Sequence, residues 1–240
     1  MPRLLERARV ESAAPQEGRR RPLRSRVARL HAAHSYRSVL GLILVTFLFA
    51  ATAGDEPWTV SVLLVLMAGT LAAAIWTSGI ARADSKGMLA LMAAAVVLAV
   101  VLLVTSPQDL QGSIGIVSGV LVLGTIVAIA RGVVDQNEVN QQSITGAVCI
   151  YLLFGILFMF VYTACAQIGN GFFFAQGTDG TRALRLYFSY VTLATLGYGD
   201  YTPAGNLGHM LAIVEALFGQ LYLVTVLALL VSRLQGRRVS

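Results

Sequence analysis

The chain has 240 residues, of which 56% are hydrophobic and 12% charged, with a formal net charge of +6. This balance lies outside ordinary soluble composition, and the apolar residues come in long blocks rather than alternating patterns. The sequence therefore reads as an all-α membrane protein.

Residues 1–37 hold ten arginines interspersed with Ala, Pro, Glu and Gln. They lack the aromatic interleaving of a base-stacking surface, so nucleic acid is not expected as a partner. A disordered cytoplasmic tail against anionic lipid is the simpler reading. The segment is longer than a usual secretory leader and no small-residue cleavage site follows the next apolar block, so that block is taken as a spanning helix.

Six apolar blocks follow: 38–53, 58–80, 87–105, 113–130, 143–166 and 207–231. A helix needs roughly 17 to 25 apolar residues at about 1.5 Å each to cross the hydrocarbon. The first block is marginal in length and the others qualify. The expected organisation is a four-helix region without a pore over 38–131, a pore domain over 143–232 and a short cytoplasmic tail over 233–240.

A cytoplasmic N-terminus places 16 of the 18 basic residues on the inner side, and only Arg182 and Arg185 outside. The positive-inside rule thus selects one topology, with both termini cytoplasmic in the cell membrane. The fourth block contains no arginine, and Arg131 only ends it. A voltage sensor needs several charges there, because each contributes only about 2.3 kcal/mol per 100 mV. Arginine-driven gating is not expected, which leaves the first four helices as a scaffold or as a binding region for lipid or a partner.

The fifth block carries Cys149 and Cys165, which 16 helical residues separate by roughly 24 Å, beyond disulfide reach. Both read as packing residues, and His31, His34 and His209 do not join them in a metal site.

Residues 167–180 are rich in Gly and Phe and read as an outer linker, after which 181–194 form a short helix. That helix ends at "TLATLGYGD", Thr192 to Asp200. Non-helical backbone at membrane depth is tolerated only where protein buries it or where it lines a watery cavity, so this segment is expected to face a pore. A bare cation can pass such a pore if stacked rings of backbone carbonyls replace its water. Thr195, Leu196, Gly197 and Tyr198 would supply those carbonyls, and the Thr195 hydroxyl the innermost ring. Alternating backbone handedness aligns successive carbonyls, and glycine adopts it most cheaply, hence Gly197 and Gly199. Tyr198 then packs behind the ion path and Asp200 places negative charge at the outer mouth. The preceding helix would aim the negative end of its dipole at the cavity.

"TLATLGYGDYTP" resembles the signature of the potassium-channel pore family, and the resemblance runs from the fifth helix to the end of the chain. It implies a filter over Thr195, Leu196, Gly197, Tyr198 and Gly199, with K+ as permeant ion and no cofactor. It also implies filter support from Thr192 and Asp200, and a hinge at Gly219, which falls 19 residues after Asp200, with a close-packing site as the alternative for that glycine. Tyr187 and Phe188 stand where many members have paired tryptophans, and Leu196 replaces the usual valine. Val191 occupies the place where some members have a glutamate that pairs with the mouth aspartate, so Asp200 needs another partner or stays solvated.

One filter segment per chain, where a ring of carbonyls needs four, implies a homotetramer. A potassium-uptake transporter subunit is one alternative, but the related subunits carry four degenerate segments in one chain, and "TLGYGD" occurs once here. A non-conducting membrane scaffold or auxiliary subunit is the other. No catalytic triad, metal-ligand set or phosphate loop points to an enzyme.

Nine residues follow Val231, too few for a cytoplasmic ligand-binding domain, so any gate is expected in the membrane part. Leu223, Leu227 and Val231 repeat every fourth residue after Gly219 and would line a hydrophobic constriction or pack between helices. Glu215, within the last span, lies on the same helical face as Gly219. An acid at membrane depth is a functional candidate by default. Glu215 is expected behind the filter, bonded to Ser189, Tyr190 or Thr192, with either a structural role or one that couples pH to conductance.

Overall fold

The computed structural model describes residues 36–78, 97, 111–134 and 141–236. Among these are six helices: α1 (Tyr36–Thr52), α2 (Pro57–Ser78), α3 (Gln111–Val134), α4 (Gln141–Ile168), α5 (Arg182–Leu193) and α6 (Asn206–Gly236). Apart from Val97, the expected span over 87–105 lies outside the described residues, as do nearly all of the basic tail and the last four residues. No strand forms among the described residues, only isolated bridges from Phe174 to Thr178 and to Pro203.

Four of the helices, α2, α3, α4 and α6, have stretches long and apolar enough to cross a membrane. Helix α1 is a shorter apolar helix of 17 residues. Helix α2 starts at Pro57, whose missing N–H costs nothing at a first helical position. Within the spans, threonine hydroxyls return their polarity to the helix itself: Thr46, Thr70, Thr125 and Thr163 each donate to the carbonyl four residues earlier, at 2.7 to 2.8 Å. None of these four hydroxyls is left unpaired against an apolar neighbour.

The main core is a layer of side chains shared by α1, α2, α3 and α4, including Val39, Ile43, Leu64, Leu71, Leu121, Ile129, Leu153 and Ile156. A second, aromatic cluster gathers Phe158 and Tyr162 from α4, Phe173 and Phe174 from the loop, and Phe188 from α5. Helix α5 therefore stands between two packed groups. Tyr190 joins it to the first, with its ring 5.1 Å from that of Phe47 and edge-on, and Phe188 joins it to the second.

Helix α6 differs from the rest. Leu207, Met210, Ile213, Leu217, Phe218, Leu221 and Val224 are all exposed, so within one chain this helix leaves a long apolar face uncovered.

Candidate functional site

Helix α5 begins at a capped end, where the Thr181 hydroxyl accepts from the Leu184 amide at 3.2 Å. The first helical side chain, Arg182, is only 6% exposed. Its Nη2 donates to Gly54 O at 2.6 Å and to Thr59 Oγ1 at 2.7 Å, and pairs with Asp55 Oδ1 at 3.3 Å. One turn on, Arg185 donates to Thr163 Oγ1 and to the carbonyls of Asp179 and Gly180. The two basic residues that stood apart from the charge rule are thus anchors for the start of α5. The acid that meets Arg182 lies in the α1–α2 loop, which the same rule placed on the same side.

At its other end α5 passes directly into the motif. The amides of Thr195 and Leu196 donate to Thr192 O and Val191 O, both at 2.9 Å, and that of Gly197 reaches Val191 O at 3.4 Å. The last carbonyls of the helix, which have no partner within it, are satisfied this way. Among the described residues no hydrogen bond ends on the carbonyl of Thr195, Leu196, Gly197, Tyr198 or Gly199.

Backbone handedness alternates along this stretch. Positive φ occurs at Thr195 (56°), Gly197 (58°) and Gly199 (76°), and not at Leu196 or Tyr198. The two glycines are where left-handed backbone costs least, while Thr195 adopts it as a side-chain-bearing residue, an uncommon conformation for a β-branched type. Within the chain no atom would meet a Cβ at Gly197 or Gly199. The demand for glycine there is conformational and not one of space. Leu196 and Tyr198 are 56% and 66% exposed, so neither packs behind the motif within its own chain.

Asp200, expected at the outer mouth, has a partner. Tyr187 Oη donates to Asp200 Oδ2 at 2.8 Å, and the Tyr201 amide donates to Oδ1 at 3.1 Å. The stretch over 167–180 is more than a linker. The Ala175 amide donates to Thr202 O and the Ala204 amide to Phe173 O, both at 2.8 Å, while Gln176 Nε2 donates to Asp200 O at 2.9 Å. Sequence reasoning missed Phe173, Phe174 and Gln176. The run of three phenylalanines, 172–174, inside an otherwise polar loop was the available signal.

Residues 168–236 match the ion-channel family. The chain is also 34% identical over 109 residues to the inward rectifier potassium channel Kirbac3.1 of Paramagnetospirillum magnetotacticum, across 43% of this chain. The segment around the motif is thus similar to the pore region of potassium channels. The match covers 35% of that relative, so the chain spans about a third of its length. No solved structure matches.

Glu215 of α6 is fully buried, at 0% exposure. Ser189 Oγ lies 2.5 Å from its Oε1 and Tyr162 Oη 2.5 Å from its Oε2. Of the three expected partners only Ser189 is in place, because Tyr190 donates instead to Leu152 O at 2.6 Å and no bond joins Thr192 to the acid. Tyr162 was missed, since it lies on α4, 53 residues away in sequence. Gly219, one turn after Glu215, sits against the end of α5, where a Cβ would collide with Leu193 O and Leu193 Cδ1. Helix α6 runs unbroken through this point. Leu223 is exposed, and the side chains of Leu227 and Val231 lie outside the described residues. Both cysteines are free thiols, Cys149 buried and Cys165 half-buried.

Proposed function

We propose that this chain is one subunit of a homotetrameric, potassium-selective channel that conducts K+ passively. The observation that carries the reading is the alternating φ at Thr195, Gly197 and Gly199, with the amides of Thr195, Leu196 and Gly197 turned back to α5 and the carbonyls left without partners. Alternation of this kind turns successive carbonyls to one side. Four copies would then enclose K+ between carbonyls of Thr195, Leu196, Gly197 and Tyr198, with no cofactor beyond the permeant ion. Thr192, Tyr187, Phe188 and Asp200 support that filter from behind and above.

The uncovered apolar face of α6 supports the tetramer, because a central inner helix must be apolar where copies meet. In this reading the basic tail faces anionic lipid on the cytoplasmic side of the cell membrane, and both termini are inside. A hydrophobic constriction of the lower pore falls to Leu223, Leu227 and Val231, while Gly219 packs against Leu193 at the end of α5. Gating does not use an arginine sensor, since α3 carries a basic residue only in its last turn, Arg131.

The deciding experiment is reconstitution of the purified protein in liposomes, with K+, Na+ and Rb+ flux measured side by side. K+ and Rb+ flux well above Na+ flux is the expected result. Equal permeability removes the filter assignment, and a tetramer that passes none of the three ions is a scaffold.

A further inference from the structure

Ser189 Oγ has two neighbours that both need a proton between them and it. Gly155 O lies 2.8 Å away and Glu215 Oε1 lies 2.5 Å away. A backbone carbonyl can only accept, and a serine hydroxyl has one proton to give. If Ser189 donates to Glu215, its lone pairs face the Gly155 carbonyl with no proton between them. If it donates to Gly155, a carboxylate would press lone pair against lone pair on the other side. Both contacts become hydrogen bonds only when the carboxyl group supplies the second proton.

The surroundings agree. Tyr162 Oη donates to the other oxygen, Oε2. Tyr151 and Tyr190 lie within electrostatic range of Glu215, and Cys165 within range of Tyr162. None of these groups is a cation, and the ion pair recorded among the described residues is Arg182 with Asp55, far along α5. An unpaired carboxylate in an apolar interior is costly, and a proton removes that cost without moving an atom.

We propose that Glu215 is a positioning residue of the pore: a neutral carboxyl group that donates from Oε1 to Ser189 and accepts at Oε2 from Tyr162. One directed chain then runs from Tyr162 to Glu215 to Ser189 to the Gly155 carbonyl. It joins the outer helix α4, the inner helix α6 and the helix α5 at a single buried point. Ser189 lies on the same short helix whose terminal carbonyls at Val191 and Thr192 hold the filter amides. The chain of bonds therefore fixes the support on which the filter is laid. This role rests on the reading of Thr195–Gly199 as the filter, while the position of the proton does not.

Glu215→Gln tests both parts in the full-length protein in liposomes. An amide gives one N–H to Ser189 and keeps one oxygen for Tyr162, so Rb+ flux is expected to match that of the parent. Glu215→Leu keeps the volume but removes both bonds, and its flux is expected to fall by about tenfold, the size expected for losing two buried hydrogen bonds. Infrared difference spectra of the parent against Glu215→Gln in the same membranes should show the carbonyl band of a protonated carboxyl group in the parent alone. Carboxylate bands in its place overturn the proposal, as does full flux from assembled Glu215→Leu tetramers. If Glu215→Leu does not assemble, Ser189→Ala takes its place, with the same expected loss and the same meaning for full flux. A parent that shows the protonated band yet passes no K+ refutes the channel reading and leaves the proton where the proposal puts it.

Discussion

Tyr187 and Asp200 are joined by a hydrogen bond of 2.8 Å that ties the middle of α5 to the residue just beyond the filter motif. The rest of the mouth is held from a different direction, through Gln176 and the loop before α5. Two independent supports thus converge on one aspartate, and Tyr187 is the one that spans the motif from start to end.

Tyr187→Phe removes that bond and leaves the ring. Water screens a hydrogen bond at this exposed position, so its loss is expected to shift the proposed filter only modestly between a conducting and a collapsed form. Current should decline faster during sustained conduction, with the preference for K+ over Na+ unchanged. Asp200→Asn in the same background should add little, and a double-mutant cycle on the decline rates gives the coupling directly.

Gly199→Ala addresses the filter backbone. At φ of 76° an alanine is strained even though nothing would touch its Cβ within the chain. An L-residue in the left-handed region costs about 1 kcal/mol or more, and in the proposed tetramer that cost arises once in each of four subunits. The expected outcome is loss of K+ flux from tetramers that still assemble, measured by size-exclusion chromatography and by flux on the same sample.

The proton placed on Glu215 gives conductance a direction of pH response. Every titratable neighbour, Tyr162, Tyr151, Tyr190 and Cys165, loses a proton to become negative, so none offsets a charge that appears on Glu215. Removing the Glu215 proton leaves Ser189 with one proton for two acceptors, so one of its two bonds, to Glu215 or to Gly155 O, is lost. Conductance should therefore fall as pH rises far enough to take that proton, and Glu215→Gln, with none to lose, should keep its conductance over the same range.

Arg182 makes a stability prediction. Its buried guanidinium bonds to Gly54 O and to the buried Thr59 Oγ1, whereas Asp55 is half-exposed. Arg182→Ala should destabilise the fold by about 1 to 3 kcal/mol, the cost of leaving such groups unpaired. Asp55→Asn should cost no more than about 1 kcal/mol, as an exposed ion pair does. Thermal unfolding in one detergent compares the two variants, and an equal loss would mean that the ion pair and not the buried bonds holds α5.

The helices and the motif were legible in the sequence because each is a local property. An apolar run of 28 residues such as α4 has few other conformations open to it in lipid, and glycines at alternate positions announce the backbone they allow. Partners far apart in the chain were not legible. Nothing local to Arg182 names Gly54 or Asp55, and nothing near Glu215 names Tyr162, because each pair depends on how whole helices are stacked. The left-handed Thr195 was hidden for another reason, since a β-branched residue gives no sign of that conformation. The role of Gly219 was half legible: its spacing marked a special glycine, and packing supplied a reason other than bending.

That reason separates two outcomes for Gly219→Ala. In the hinge reading the glycine lets α6 bend, so alanine stiffens the helix, alters the open probability and leaves ion selectivity alone. The geometry gives it a different task. A Cβ at this position would overlap Leu193 O, the carbonyl of the last residue of α5, and crowd the Leu193 side chain as well. A backbone atom cannot swing aside as a flexible side chain can, so α5 or α6 must shift as a body. Overpacking of this kind costs about 1 to 3 kcal/mol. The displacement arises two residues before Thr195, where the carbonyls of Val191 and Thr192 hold the amides of the proposed filter. Gly219→Ala should therefore lower thermal stability and raise Na+ permeation relative to K+. Gly219→Ala tetramers with parental stability and selectivity but changed open probability would return the glycine to the hinge.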